Sequence, residues 1–154
     1  MSDAPPPRAN IFARMAGTAY IAGIGGELKD IGAGRANMRL PWSERLVGDP
    51  ETGIVHGGVI TGCLDHCCGI AVASALRNPM PFATLDLRID YMKAAAPHED
   101  ILFEAECLKV THEIAFARGL AWQQAREIPI ALCTGTFMLI RGAPFPNLPE
   151  APNA

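Results

Sequence analysis

Residues 57–76 contain no proline and one formally charged side chain, Asp65, in a run that includes Val59, Ile60, Cys63, Leu64, Cys67, Ile70, Ala71, Ala73 and Ala75. Apolar residues at nearly every helical angle predict a helix buried on most of its circumference, not along one stripe. Asn78-Pro79 predicts its end. Such a helix needs a surrounding layer, and the downstream sequence supplies one. From Thr84 to Lys93, Leu85, Leu87, Ile89 and Tyr91 alternate with Thr84, Asp86, Arg88 and Asp90, the period-two signature of a strand. Ile101, Phe103, Ala105 and Cys107 alternate with Glu104 and Glu106. Ile114, Phe116, Arg118, Leu120 and Trp122 share one face of a third run, and Ile130, Leu132, Thr134, Thr136 and Met138 one face of a fourth.

The links near 96–100, 111–113 and 125–128 are too short for helical crossovers, so the strands are expected to pair antiparallel. One long, all-round apolar helix beside a meander of long strands implies an α+β fold with the sheet wrapped around a central helix. Upstream, Ile11, Met15 and Ala19 are spaced for a helix over Asn10 to Ile21, and short strands are expected near Gly26–Ile31 and Arg35–Leu40. Trp42 to Val55, with Gly48-Asp49-Pro50-Glu51-Thr52-Gly53, reads as an ordered loop. Proline-rich ends leave residues 1–9 and 142–154 as tails around a single domain over residues 10–141.

At 154 residues the chain is long enough for one well-buried core and short for two. A net charge of -3 with no Lys/Arg cluster argues against nonspecific nucleic-acid binding. Five cysteines, an odd number set in apolar segments, suit reduced buried thiols better than a disulfide framework. The mean hydropathy of +0.16 implies apolar surface covered by a partner subunit. No apolar run is expected to reach the roughly 20 residues of a membrane span. The start has neither a basic nor an apolar leader pattern, so a cytoplasmic protein without membrane partners is expected.

The chemistry concentrates where the central helix begins. In His56-Gly57-Gly58 the glycines let a ligand approach the backbone, and first-turn N–H groups lack intrahelical partners. Those groups, at the positive end of the helix, suit an oxygen on which charge develops. The same glycines also suit a loop turning into a tightly packed helix. Asp65 is a poor mid-helix residue and a costly one to bury unpaired, so it is a candidate general base or nucleophile. Gly57 and Asp65 lie about 12 Å apart along a helix axis and about 80° apart around it. One substrate carbonyl cannot touch both in one chain. They converge only if two helices run antiparallel across a two-fold axis, which places the site between subunits.

These residues resemble the PaaI-like hotdog thioesterases: His56-Gly57-Gly58 followed by an apolar helix carrying Asp65, then the Thr84–Tyr91 strand and the Gly135-Thr136-Phe137 segment. The similarity covers roughly residues 45 to 140. It implies a hotdog homodimer, often paired into a tetramer, that hydrolyses acyl-CoA thioesters without metal or bound cofactor, coenzyme A being part of the substrate. By position, Asp65 would activate water or attack directly, the Gly57 amide would hold the thioester oxygen, and Thr84 would assist the water. His56 and Gly58 would shape the loop and contact substrate. One departure is Pro50, which stands where some members place a carbonyl-binding asparagine and offers no donor. A noncatalytic acyl-CoA binder is the alternative that this departure raises. The Asp65-His66-Cys67-Cys68 run does not make a metal site, because consecutive helical residues point about 100° apart and no second cluster completes the ligands. Among the cations, Arg88, Lys93, Lys109, Arg118 and Arg126 are candidates for the coenzyme A phosphates.

Overall fold

A computed structural model describes residue 15, residues 18–78 and residues 80–143. Helix α1 (Ala19–Ile24) leads to strands β1 (Glu27–Gly32) and β2 (Arg35–Leu40). A 3-10 turn at Glu44–Leu46 and a small hairpin of β3 (Val47–Asp49) and β4 (Ile54–Val55) precede the long helix α2 (Gly57–Ala75). Four strands follow: β5 (Phe82–Tyr91), β6 (Ile101–Val110), β7 (Ile114–Trp122) and β8 (Ala131–Leu139). All ladders are antiparallel, and six strands form one sheet in the order β1-β2-β6-β7-β8-β5. The hairpin is a separate two-stranded sheet.

Helix α2 packs on the inner face of that sheet, chiefly against β6, β2 and β7. Close approach is possible because both surfaces are built from small residues. Cys63, Cys67, Cys68, Gly69 and Ala71 of the helix meet Ala36, Ala105, Ala115, Ala117 and Ala121 of the strands, all buried. At Gly119 a Cβ would lie 3.0 Å from Cys133 Sγ, 3.1 Å from the Glu104 carbonyl and 3.2 Å from Cys68 Sγ, so glycine is needed there for lack of space. Cys68 and Cys133 are free thiols with their sulfurs 3.6 Å apart. Burial pushes the Cys63 thiol up to about 12, which keeps it a neutral core group.

Three expectations change. Only Met15 and residues 18–21 of the expected first helix fall among the described residues, and the helix described there runs on to Ile24. The Trp42–Val55 loop contains the 3-10 turn and the β3–β4 hairpin, closed by Asp49, whose carboxylate accepts the Glu51 N–H at 3.1 Å and the Thr52 hydroxyl at 3.0 Å. Helix α2, with 19 residues and a mean hydropathy of 1.4, is also long and apolar enough by composition to cross a bilayer. Isoleucine, valine and leucine, with cysteine and alanine, keep its hydropathy high despite Asp65 and four glycines, and in this fold it is the core helix. Its end falls at Ala75, with Leu76 already extended, and Pro79 lies outside the described residues.

Candidate active site

His56 is the N-cap of α2, with extended backbone and its ring turned back over the helix start. Its Nδ1 accepts the Gly58 N–H at 2.9 Å, which satisfies one of the first-turn donors. A side chain at Gly58 would meet that ring at 3.0 Å, so the second glycine makes the cap possible. The Gly58 amide is therefore spent inside the chain. The His56 N–H donates to Leu46 O at 2.8 Å, and the His56 carbonyl accepts the Val59 N–H at 3.0 Å. The Gly57 N–H donates to no atom among the described residues. It stands at the positive end of a long helix, beside a cavity of about 310 Å³ lined in part by Gly57, Ile60, Tyr91 and Lys93.

Asp65 lies half-buried two turns further along α2, not deeply buried as its sequence setting implied. Its Oδ1 accepts the Thr84 hydroxyl at 2.9 Å. That contact exists because β5 breaks its own alternation. Thr84 pairs with Phe137 and Asp86 with Thr136, leaving Leu85 as an extra residue in a β-bulge, 53% exposed. Strict period two would put Thr84 on the outer face with Asp86. The bulge moves it to the inner face, where Leu87 and Ile89 pack against the core and Tyr91 reaches the helix. Leu85 correspondingly leaves the apolar face that the sequence pattern assigned to it. Holding Oδ1 with a donor fixes the carboxylate rotamer and leaves Oδ2 free. Thr84→Val is expected to lower kcat/KM about tenfold, with Thr84→Ser close to wild type, in steady-state thiol-release assays.

Sequence reasoning missed two groups here. The Tyr91 hydroxyl donates to the Gly57 carbonyl at 2.6 Å and lies 2.7 Å from Thr61 Oγ1. Nothing in a strand pattern marks a tyrosine as facing a helix terminus six strand positions beyond the bulge. Next to Asp65, burial holds the His66 imidazole below its ordinary range and so neutral, against a hydrogen bond that the ring donates to the Met15 backbone carbonyl, which favours its charged form. Pro50 sits at the hairpin tip and lines a different depression, with Trp42, Glu51 and His98, from the one beside Gly57. His98 is stacked 4.2 Å from Trp42 with φ of 61°, more constrained than a solvated turn residue. Among the described residues no group of three or more His, Cys, Asp or Glu could hold a metal ion.

An antiparallel sheet of six strands packed on one long helix is the hotdog arrangement. The description "Thioesterase superfamily" matches residues 52–130, and the chain belongs to that family. A Pseudomonas aeruginosa protein of known structure is 39% identical, with a TM-score of 0.75 over 86% of this chain and 97% of that one. A Halobacterium salinarum protein that bears the name of an inferred esterase is 29% identical over 126 residues, 77% of this chain and 82% of that protein. The Escherichia coli PaaI protein of the phenylacetic acid degradation operon shares the fold at 15% identity, with a TM-score of 0.75 over 86% and 91% of the two chains.

Proposed function

We propose that this chain is an acyl-CoA thioesterase acting as a homodimer, with each site built from Gly57 of one subunit and Asp65 of the other. The observation that carries this reading is the pairing of an unspent N–H at the start of α2 with a hydroxyl-held carboxylate two turns along the same helix. They lie about 12 Å apart along the axis, too far to serve one carbonyl carbon from a single chain. Two antiparallel copies of α2 bring one of each together twice. Strand β5, which carries Thr84 and Tyr91, is an edge strand, and an edge is where a second sheet adds on.

In the proposed reaction Asp65 acts on the thioester carbonyl carbon, either directly or by taking a proton from water. Both routes pass through a tetrahedral oxyanion, and the Gly57 N–H with the helix dipole behind it stabilises that charge. Collapse breaks the C–S bond, and the departing coenzyme A thiolate takes up the proton that water supplies. On the water route this leaves the free acid; on the direct route it leaves an Asp65 acyl anhydride that water then hydrolyses to the free acid and the Asp65 carboxylate. A carboxylate, a water and an N–H suffice.

The cations divide in a useful way. Arg88 pairs with Asp90, Arg118 with Glu106 and Arg126 with Glu104. Lys93 has no carboxylate partner among the described residues and lines the cavity beside Gly57, which favours it over the paired arginines as a contact for the phosphates of coenzyme A. Lys93→Glu is expected to raise KM for acyl-CoA several-fold, more at low salt, and to leave hydrolysis of the matching acyl-N-acetylcysteamine thioester unchanged. Free-thiol release from a panel of acyl- and aryl-CoA thioesters tests the activity itself. Tight acyl-CoA binding in calorimetry with no thiol release across that panel would make the chain a binder instead.

A further inference from the structure

We infer that Tyr91 is a positioning residue for the Gly57 amide: through its hydrogen bond to the Gly57 carbonyl, it aims the N–H that receives the thioester oxygen. This rests on the proposed thioesterase reading and adds to it a residue outside the helix motif.

The reason a positioning group is needed lies in the motif itself. Two consecutive glycines give the substrate close access to the backbone, and they also give the backbone more rotational freedom than any other pair of residues. An N–H donor is effective only if it is already aimed at the oxyanion when charge develops. The bonds around Gly57 supply that aim. The peptide unit preceding Gly57 is held by its carbonyl, since His56 O accepts the Val59 N–H at 3.0 Å. The unit following Gly57 is held at both ends, its N–H on His56 Nδ1 at 2.9 Å and its carbonyl on the Tyr91 hydroxyl at 2.6 Å. With both flanking units fixed, the Gly57 N–H has one direction left to it.

Proton counting orders the cluster. Tyr91 has one hydroxyl proton, and it goes to the Gly57 carbonyl. The 2.7 Å contact between Thr61 Oγ1 and Tyr91 is then a bond donated by the threonine, shorter than its 3.2 Å alternative to Gly57 O. Thr61 thereby orients the tyrosine hydroxyl, and a chain of two donors ends on the Gly57 carbonyl. The tyrosine also fits Gly57 closely, for a Cβ there would lie 3.3 Å from its hydroxyl. Strand β5 thus reaches both chemical groups of α2, Asp65 through Thr84 and Gly57 through Tyr91.

The test compares wild type, Tyr91→Phe, Thr61→Val and Thr61→Ser by steady-state kinetics on the best acyl-CoA, with the order parameter of the Gly57 N–H measured by NMR relaxation in the same proteins. Tyr91→Phe keeps the ring of a half-exposed residue, so melting temperature should change little. The expected result is a fall in kcat of about tenfold with KM for acyl-CoA unchanged, a lower order parameter at Gly57, a smaller loss of the same kind in Thr61→Val, and recovery in Thr61→Ser. A merely structural tyrosine would lower melting temperature or raise KM without touching Gly57. Wild-type kcat in Tyr91→Phe, or a loss confined to KM, overturns the inference. If the wild type hydrolyses no thioester, the functional reading fails, and the relaxation data then decide the positioning alone: a lower order parameter at Gly57 in Tyr91→Phe supports it and an unchanged one overturns it.

Discussion

Asp65→Asn is expected to lower kcat/KM for the best acyl-CoA by about 10²–10⁴-fold while leaving the protein folded, as judged by an unchanged melting temperature. The two side chains have the same shape, and the amide oxygen can still accept the Thr84 hydroxyl that now lies 2.9 Å from Oδ1. What disappears is the negative charge that takes a proton from water or attacks the carbonyl. The loss should fall on kcat more than on KM, because the ground-state thioester carries no charge for Asp65 to recognise. Equal thiol-release rates for the two proteins would remove Asp65 from the chemistry. The outcome should differ in size from that of Thr84→Val: one substitution removes the reacting group and the other only its support.

Phe137→Ala is expected to destabilise the fold by about 3–5 kcal/mol in denaturant unfolding, a large share of a domain stability of roughly 5–15 kcal/mol. Phe137 is 1% exposed at the end of the sheet next to the site. Its ring meets Phe82 edge-on, with centroids 5.9 Å apart, and packs beside Gly69 of α2 and Gly135 of its own strand. The glycines leave a space that this one ring fills, so truncation opens a cavity that neighbours without side chains cannot close. Phe137 is also the register partner of Thr84 at the bulge. Surviving protein is therefore expected to lose activity beyond its loss of stability, as the Thr84–Asp65 contact loosens. Phe82→Ala, which removes a partly buried ring on the edge strand, should cost less. A loss below about 1 kcal/mol for Phe137→Ala would show that β5 and β8 hold α2 by other means.

Most of the architecture was legible because its elements announce themselves by period. The apolar run from Gly57, broken only by a few polar residues, has one folding solution at this chain length, and β7 and β8 alternate cleanly enough to fix their faces, as does β6 up to its bulge between Cys107 and Lys109. Asp65 stood out because a lone carboxylate in such a helix requires a reason. The bulge at Leu85 was not legible, since an extra residue leaves a period-two pattern looking like a longer one. Its consequence is large, for it decides whether Thr84 faces solvent or Asp65. The β3–β4 hairpin was hidden by its brevity and its turn residues. Tyr91 was hidden for a different reason: its partners, Gly57 and Thr61, lie on another element, and no local pattern records a contact of that range. The expectation that no apolar run approaches the length of a membrane span failed at α2, because its isoleucine, valine, leucine, cysteine and alanine residues weigh as apolar whether they face lipid or a sheet.

The central claim is that Gly57 and Asp65 act from different subunits, and mixed dimers test it most directly. One subunit would carry Asp65→Asn and the other Gly57→Pro. Proline is well tolerated at the first position of a helix and deletes the N–H in question, and the extended backbone of His56 suits a following proline. Each variant alone should be nearly inactive. Refolded or co-expressed together at equal amounts, half of the dimers are mixed, and each mixed dimer holds one site with both groups intact, so activity should return to about a quarter of wild type. A mixture as inactive as its separate components, with mixed dimers verified by mass spectrometry, would contradict the account and place both groups in the same chain's site.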